Sequence, residues 1–96
     1  MVKTVCNNYR QLAPVLFGKG AINKTGDVAV ELGCKKAMIV TDEGINGLGF
    51  PKKIEDSLKE KGIECIVWAN AGGECPTPNL LEGASVAREF GADCTI

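Results

Sequence analysis

The sequence predicts an α/β fold in which a parallel sheet carries helices on both faces, and three observations lead to it. Strand-like apolar runs alternate with helix-like segments along the chain. The most central run is almost continuously apolar, as in a strand covered on both faces. Glycine or proline stands at nearly every junction between the two kinds of segment. A length of 96 residues fits one small hydrophobic core.

Pro14-Val15-Leu16-Phe17 reads as a first strand, closed by the turn Gly18-Lys19-Gly20. Residues 21–32 then predict a helix, with Ile22, Val28, Ala29 and Leu32 on one face and Gly33 as its stop, although Gly26 interrupts the pattern. Lys36-Ala37-Met38-Ile39-Val40-Thr41 is the apolar second strand, and it ends at Asp42. A glycine-rich loop over residues 43–49 leads to Pro51, which suits the first turn of a helix running to Lys61, with Ile54 and Leu58 inward and Gly62 as the stop.

Residues 63–68 predict a third strand, and residues 69–78 a loop containing Gly72, Gly73, Pro76 and Pro78. Asn79 is placed to cap a helix through Phe90 whose apolar side is Leu80, Leu81, Ala84, Val86 and Ala87. Beyond Gly91 a last strand begins near Asp93 and runs to Ile96. The whole is a Rossmann-like parallel sheet with helices on both faces, expected to be incomplete because the strand at residues 94–96 presents an uncovered edge.

Composition excludes several classes of function. Apolar residues at 45% and charged residues at 24% lie far from the signature of disorder. Eleven basic and twelve acidic residues, scattered to a net charge of −1, offer no basic face for nucleic acid. No apolar run approaches the roughly 20 residues that cross a bilayer, and residues 1–10 carry no apolar signal core, so neither a membrane nor a secretory route is expected and the address is cytoplasmic. Cys6, Cys34, Cys65, Cys75 and Cys94 are an odd set without C-x-x-C spacing, which predicts free thiols, with Cys34, Cys65 and Cys94 as small hydrophobes beside strands. The absence of histidine removes the commonest metal ligand and general base, so no catalytic residue and no metal ligand is assigned.

In an open parallel sheet, ligands bind beyond the carboxyl ends of the strands, which directs attention to the residues after Phe17, Thr41 and Trp68. Gly18-Lys19-Gly20 with an acid about 20 residues later partly matches a dinucleotide fingerprint, but Asn23 stands where the third glycine belongs, and the turn has an equally simple structural reading. Asp42 is the sharper feature. A carboxylate at a strand end can accept both ribose hydroxyls of NAD and repel a 2′-phosphate; the alternative is a helix or loop cap.

Phe17-Gly18-Lys19-Gly20-Ala21, the strand ending Val40-Thr41-Asp42, and the stretch from Gly83 to Asp93 together resemble the iron-containing (group III) alcohol dehydrogenase family, over residues 14–96. The resemblance implies the N-terminal part of a dehydroquinate synthase-like fold, with residues 1–96 forming the first part of its dinucleotide-binding domain. It implies an NAD-dependent oxidoreductase interconverting an alcohol and an aldehyde or ketone, as a homo-oligomer that uses its N-terminal strand. Asp42 then corresponds to the acid that holds the adenosine ribose. Glu74-Cys75-Pro76-Thr77 stands in place of the family's Pro-Asn-Pro-Thr loop, so that Cys75 replaces the asparagine that approaches the cofactor, and the contact there is either lost or supplied by backbone.

The family's Gly-Gly-Gly-Ser turn, and the helical domain whose Asp and His ligands hold iron or zinc, are expected outside this chain, which alone is expected to be inactive. Two alternatives accompany this reading: a glycerol-dehydrogenase-like or dehydroquinate-synthase-like relative, and a stand-alone half-sheet that works by pairing its edges with a partner.

Overall fold

The computed structural model describes residues 14–73 and 76–96. A 3-10 turn at Ala21–Lys24 runs directly into helix α1, Thr25–Glu31. Strand β1 follows at Lys36–Val40, then the short helix α2 at Glu43–Gly47 and helix α3 at Phe50–Glu60. Strand β2 is Glu64–Trp68, helix α4 is Thr77–Phe90, and strand β3 is Cys94–Thr95.

The three strands form one parallel sheet in the order β2-β1-β3. Lys36 through Val40 pair with Glu64 through Trp68, while Ala37 and Met38 pair with Cys94 and Thr95. β1 is the central strand and therefore the most apolar one: Ala37, Met38 and Ile39 are buried. Alternation along the strands sends Ala37, Ile39, Cys65, Val67 and Cys94 to one face, where they meet Ala29, Ile54, Leu58 and Ile63 from α1, α3 and the end of the α3–β2 connection. Met38, Ile66 and Trp68 point to the other face, and Trp68 packs there against Gly83 of α4. Helices thus cover both faces, as the sequence predicts.

The helix pair α1–α3 turns on two small residues. Gly26 lies so near α3 that a Cβ there would collide with the Ser57 carbonyl oxygen, which explains the glycine that interrupts the helical pattern. Ser57, buried, accepts a hydrogen bond from the Gly26 N–H at 2.9 Å and donates one to the Asn23 carbonyl at 2.9 Å, so the close approach leaves no buried polar group unpaired. At the rim, Lys61 Nζ lies 2.8 Å from Asp27 Oδ1 and ties the same two helices at the surface.

Several expectations need correction. Residues 14–17 form no strand; among the described residues no neighbouring strand reaches them, and Val15, Leu16 and Phe17 are exposed. An apolar run becomes a strand only when a partner supplies the ladder. The helix expected over 21–32 is a 3-10 turn followed by α1, and its buried residues are Gly26 and Ala29, while Val28 and Leu32 face outward because the closest approach to α3 selects the smallest side chains. Part of the expected 43–49 loop is α2, because Asp42 caps it. α4 begins at Thr77 with Pro76 as its N-cap, ahead of Asn79, since Pro78 is preorganised for a first turn. Leu80, Leu81 and Ala84, expected inward, are exposed, and Gly83 takes the contact because only it fits beneath the Trp68 ring.

The free-thiol expectation fails for two cysteines. Cys34, in the turn after α1, and Cys94, at the start of β3, are joined in a disulfide across a sequence separation of 60 residues. Cys65 is a free thiol, half-buried on the sheet.

Candidate functional site

The connections after β1 and β2 meet at the carboxyl edge of the sheet. The Thr41 N–H donates to the Trp68 carbonyl at 2.9 Å, and the Ala71 N–H donates to the Thr41 carbonyl at 3.1 Å, so both chains leave the sheet side by side. β1 has β2 on one side and β3 on the other, with α3 and α4 on opposite faces. The strand order therefore reverses direction at β1, and the crevice outside the carboxyl ends opens at such a reversal.

Asp42 stands at this point. It is half-buried, in extended backbone, and its Oδ1 accepts the Ile45 N–H at 2.7 Å as the N-cap of α2. The capping alternative raised by the sequence is thus realised, and it uses one carboxylate oxygen. Among the described residues no donor reaches Oδ2. Two glycines keep the surroundings open: a Cβ on Gly44 would come within 3.3 Å of Oδ1, and a Cβ on Gly72 within 3.5 Å of the Asp42 Cβ. A side chain at position 44 would crowd the capping oxygen and one at position 72 would touch the Asp42 Cβ, while Oδ2 is the oxygen left for a diol-bearing group to meet.

A network that the sequence reading missed holds the loop after β2. Glu82 of α4 accepts from Trp68 Nε1 at 3.2 Å through one oxygen and from Asn70 Nδ2 at 3.2 Å through the other. Asn79 Nδ2 in turn donates to the Asn70 carbonyl at 3.1 Å. Glu82, Asn70 and Asn79 are positioning residues for the chain that passes Asp42. The only sequence signal was the place of Glu82 immediately before the stretch that begins at Gly83.

Cys75 lies outside the described residues. The Gly18-Lys19-Gly20 turn bonds to itself, with the Ala21 N–H on the Gly18 carbonyl and the Asn23 N–H on the Gly20 carbonyl, each at 3.1 Å, consistent with a structural turn. Cys34, Asp93 and Cys94 bring three metal-ligand atoms together, but the two sulfurs are bonded to each other and the Asp93 oxygens accept the Lys35 and Lys36 N–H groups at 3.0–3.1 Å, so the cluster is already committed. No helix among the described residues is long and apolar enough to cross a membrane.

Comparison with known proteins points to one family. The family model described as iron-containing alcohol dehydrogenase matches residues 13–96. Choline dehydrogenase of Bacillus subtilis is 36% identical over 75 residues, covering 78% of this chain and 19% of its own length. The NAD-dependent methanol dehydrogenase of Bacillus methanolicus is 25% identical over 81 residues, covering 84% of this chain and 21% of its own. The crystal structure of a 1,3-propanediol oxidoreductase superposes with a TM-score of 0.77 at 32% identity, over 81% of this chain and 20% of that one. The chain spans about a fifth of the length of the curated relatives it matches.

Proposed function

Because the chain belongs to the iron-containing alcohol dehydrogenase family, we propose that residues 1–96 form the first part of the dinucleotide-binding domain of an NAD-dependent alcohol dehydrogenase. The observation that carries this reading is Asp42 at the carboxyl end of the central strand, where the sheet reverses direction, with one oxygen capping α2 and the other without a donor among the described residues.

Asp42 is the residue that would hold NAD, accepting ribose hydroxyls on its free oxygen and excluding a 2′-phosphate by its charge. When bound, the nicotinamide cofactor supplies the hydride acceptor for oxidation of an alcohol to an aldehyde or ketone. The work of this chain is to orient the adenosine end. α2 holds the carboxylate's direction through the Ile45 N–H, and Glu82 with Asn70 holds the loop that passes it. Cys75, in the same loop, is proposed to line the cofactor.

With no histidine in the chain, the iron or zinc that would polarise the substrate oxygen is proposed to be bound outside it, in a separate helical domain. The substrate class is a small alcohol or aldehyde, the assembly a homo-oligomer, specifically a homodimer, and the location the cytoplasm.

The test is Asp42→Gly in the enzyme that carries this segment. Loss of the carboxylate should move the ratio of kcat/KM for NAD over NADP towards NADP by roughly tenfold or more, the scale of one lost charged contact. An unchanged ratio would reduce Asp42 to a helix cap.

A further inference from the structure

We propose that Cys34 and Cys94 are a reversible thiol–disulfide clamp that locks edge strand β3 onto the turn between α1 and β1, with a small-molecule disulfide as its oxidant. The proposal stands on where the two residues sit and is independent of the dehydrogenase reading.

β3 is the strand with the weakest hold. It contributes two residues at the edge of the sheet, flanked by the Asp93 N–H donating to the Lys36 carbonyl, the Ile96 N–H to the Met38 carbonyl and the Val40 N–H to the Ile96 carbonyl. A crosslink here acts on the shortest strand of the sheet. It also reaches the proposed cofactor edge, because Val40, bonded to Ile96, lies two residues before Asp42.

Hydrogen bonds beside the covalent bond also hold the two segments together. The Asp93 carboxylate, next to Cys94, accepts the N–H groups of Lys35 and Lys36, next to Cys34, at 3.0–3.1 Å, and the two cysteine Cα atoms are 6.0 Å apart. Reduced thiols held this way meet at a high effective concentration, which favours the intramolecular disulfide over a mixed one. The third described thiol does not compete. Cys65 and Cys94 lie on either side of Ala37 in register, two strand spacings or roughly 9–10 Å apart, beyond the reach of a disulfide. Burial pushes the Cys65 thiol up in pKa, with Glu55 adding to the effect, so it stays protonated.

Access fits exchange chemistry. Both sulfur-bearing residues line a groove of about 400 Å³, walled by Val28, Leu32 and Ile96. Cys94 is the more exposed of the two and Cys34 is buried. The Cys94 thiolate attacks one sulfur of the small disulfide, forming a mixed disulfide and expelling the first small thiol. The Cys34 thiolate then attacks the Cys94 sulfur, forming the protein disulfide and expelling the second. The protein loses two protons and two electrons, and the small disulfide becomes two thiols; excess small thiol runs the sequence backwards.

The test equilibrates the full chain in graded mixtures of reduced and oxidised glutathione, blocks free thiols with an alkylating reagent in acid, and maps pairs by mass spectrometry after non-reducing digestion. A Cys34–Cys94 peptide that rises and falls reversibly while Cys65 is alkylated throughout supports the clamp. A bond from either residue to Cys6, Cys65 or Cys75, or no transition across the mixtures, overturns it. Hydrogen exchange on the same samples reads the mechanical half: amides of residues 94–96 should exchange about tenfold more slowly, or slower still, in the linked form, given the entropy that a long closed loop removes. Equal exchange rates in the two redox states overturn the clamp even if the bond forms. Both readouts use the unmutated chain, so failure of a cysteine variant to fold does not obscure them.

Discussion

Asp42 does two jobs with two oxygens, and substitutions separate them. Asp42→Asn keeps a capping oxygen for the Ile45 N–H, whereas Asp42→Ala leaves that donor without a partner. The alanine variant should lose about 1 kcal/mol of stability and the asparagine variant only a few tenths, read as urea midpoints at constant slope. Equal losses would mean that the cap contributes nothing measurable and that the charge matters for another reason. The placement of Asp42 was legible in the sequence because a strand ending in a polar residue is a local pattern. Its open surroundings were not, since Gly72 approaches it from a loop some thirty positions away that only the folded chain brings near. Glu82 was illegible for the same reason: its partners Trp68 and Asn70 lie on another element.

At the scale of elements, the α1–α3 contact is where small residues decide the packing. Gly26→Ala should destabilise the fold by about 1–3 kcal/mol, because its methyl group meets the Ser57 carbonyl oxygen, which belongs to backbone and has little room to yield. Ser57→Ala should cost about as much, roughly 1–3 kcal/mol, by leaving the buried Gly26 N–H unpaired. Thermal or denaturant unfolding checks both, and a neutral Gly26→Ala would show that the helices separate easily. The surface pair above this contact has a pH signature. The Lys61 hydrogen bond and charge hold the Asp27 carboxyl below its ordinary value, and Asp27 holds the Lys61 ammonium above its own. The pair's contribution is therefore present at neutral pH, is lost as acid takes the pH down through the lowered Asp27 value, and is lost again as alkali passes the raised Lys61 value. Asp27→Asn should lower Tm slightly at pH 7 and leave it unchanged near pH 2; a Tm difference that persists in acid would assign the effect to helix propensity. The existence and stops of α1, α3 and α4, though not of the short α2, were readable from periodicity and from Gly33, Gly62 and Gly91. Which side of each helix turns inward was read correctly at Ala29 but misread elsewhere on α1 and α4, because hydrophobicity marked Val28, Leu32, Leu80 and Leu81 while close approach required Gly26 and Gly83.

At the scale of the molecule, apolar surface among the described residues lacks cover, notably Val15, Leu16 and Phe17, with Phe17 88% exposed, and the edge strand β3 with Ile96 beyond it. Unpaired strand edges and exposed apolar runs are satisfied together by a second chain. The 96-residue chain should therefore self-associate in solution, and sedimentation should show species heavier than the monomer whose share grows with concentration. A stable monomer at high concentration would instead point to a self-contained unit. The sequence by itself determined the alternation of strand and helix, the buried central strand and the carboxylate at its end, because periodicity, turn chemistry and capping act over a few neighbouring residues. The tertiary structure alone decided the strand order β2-β1-β3, the absence of a strand at residues 14–17, the glycines that serve as helix contacts, and the Cys34–Cys94 bond. Each of these depends on which distant segments approach and how closely, a property of three-dimensional packing that local pattern does not encode.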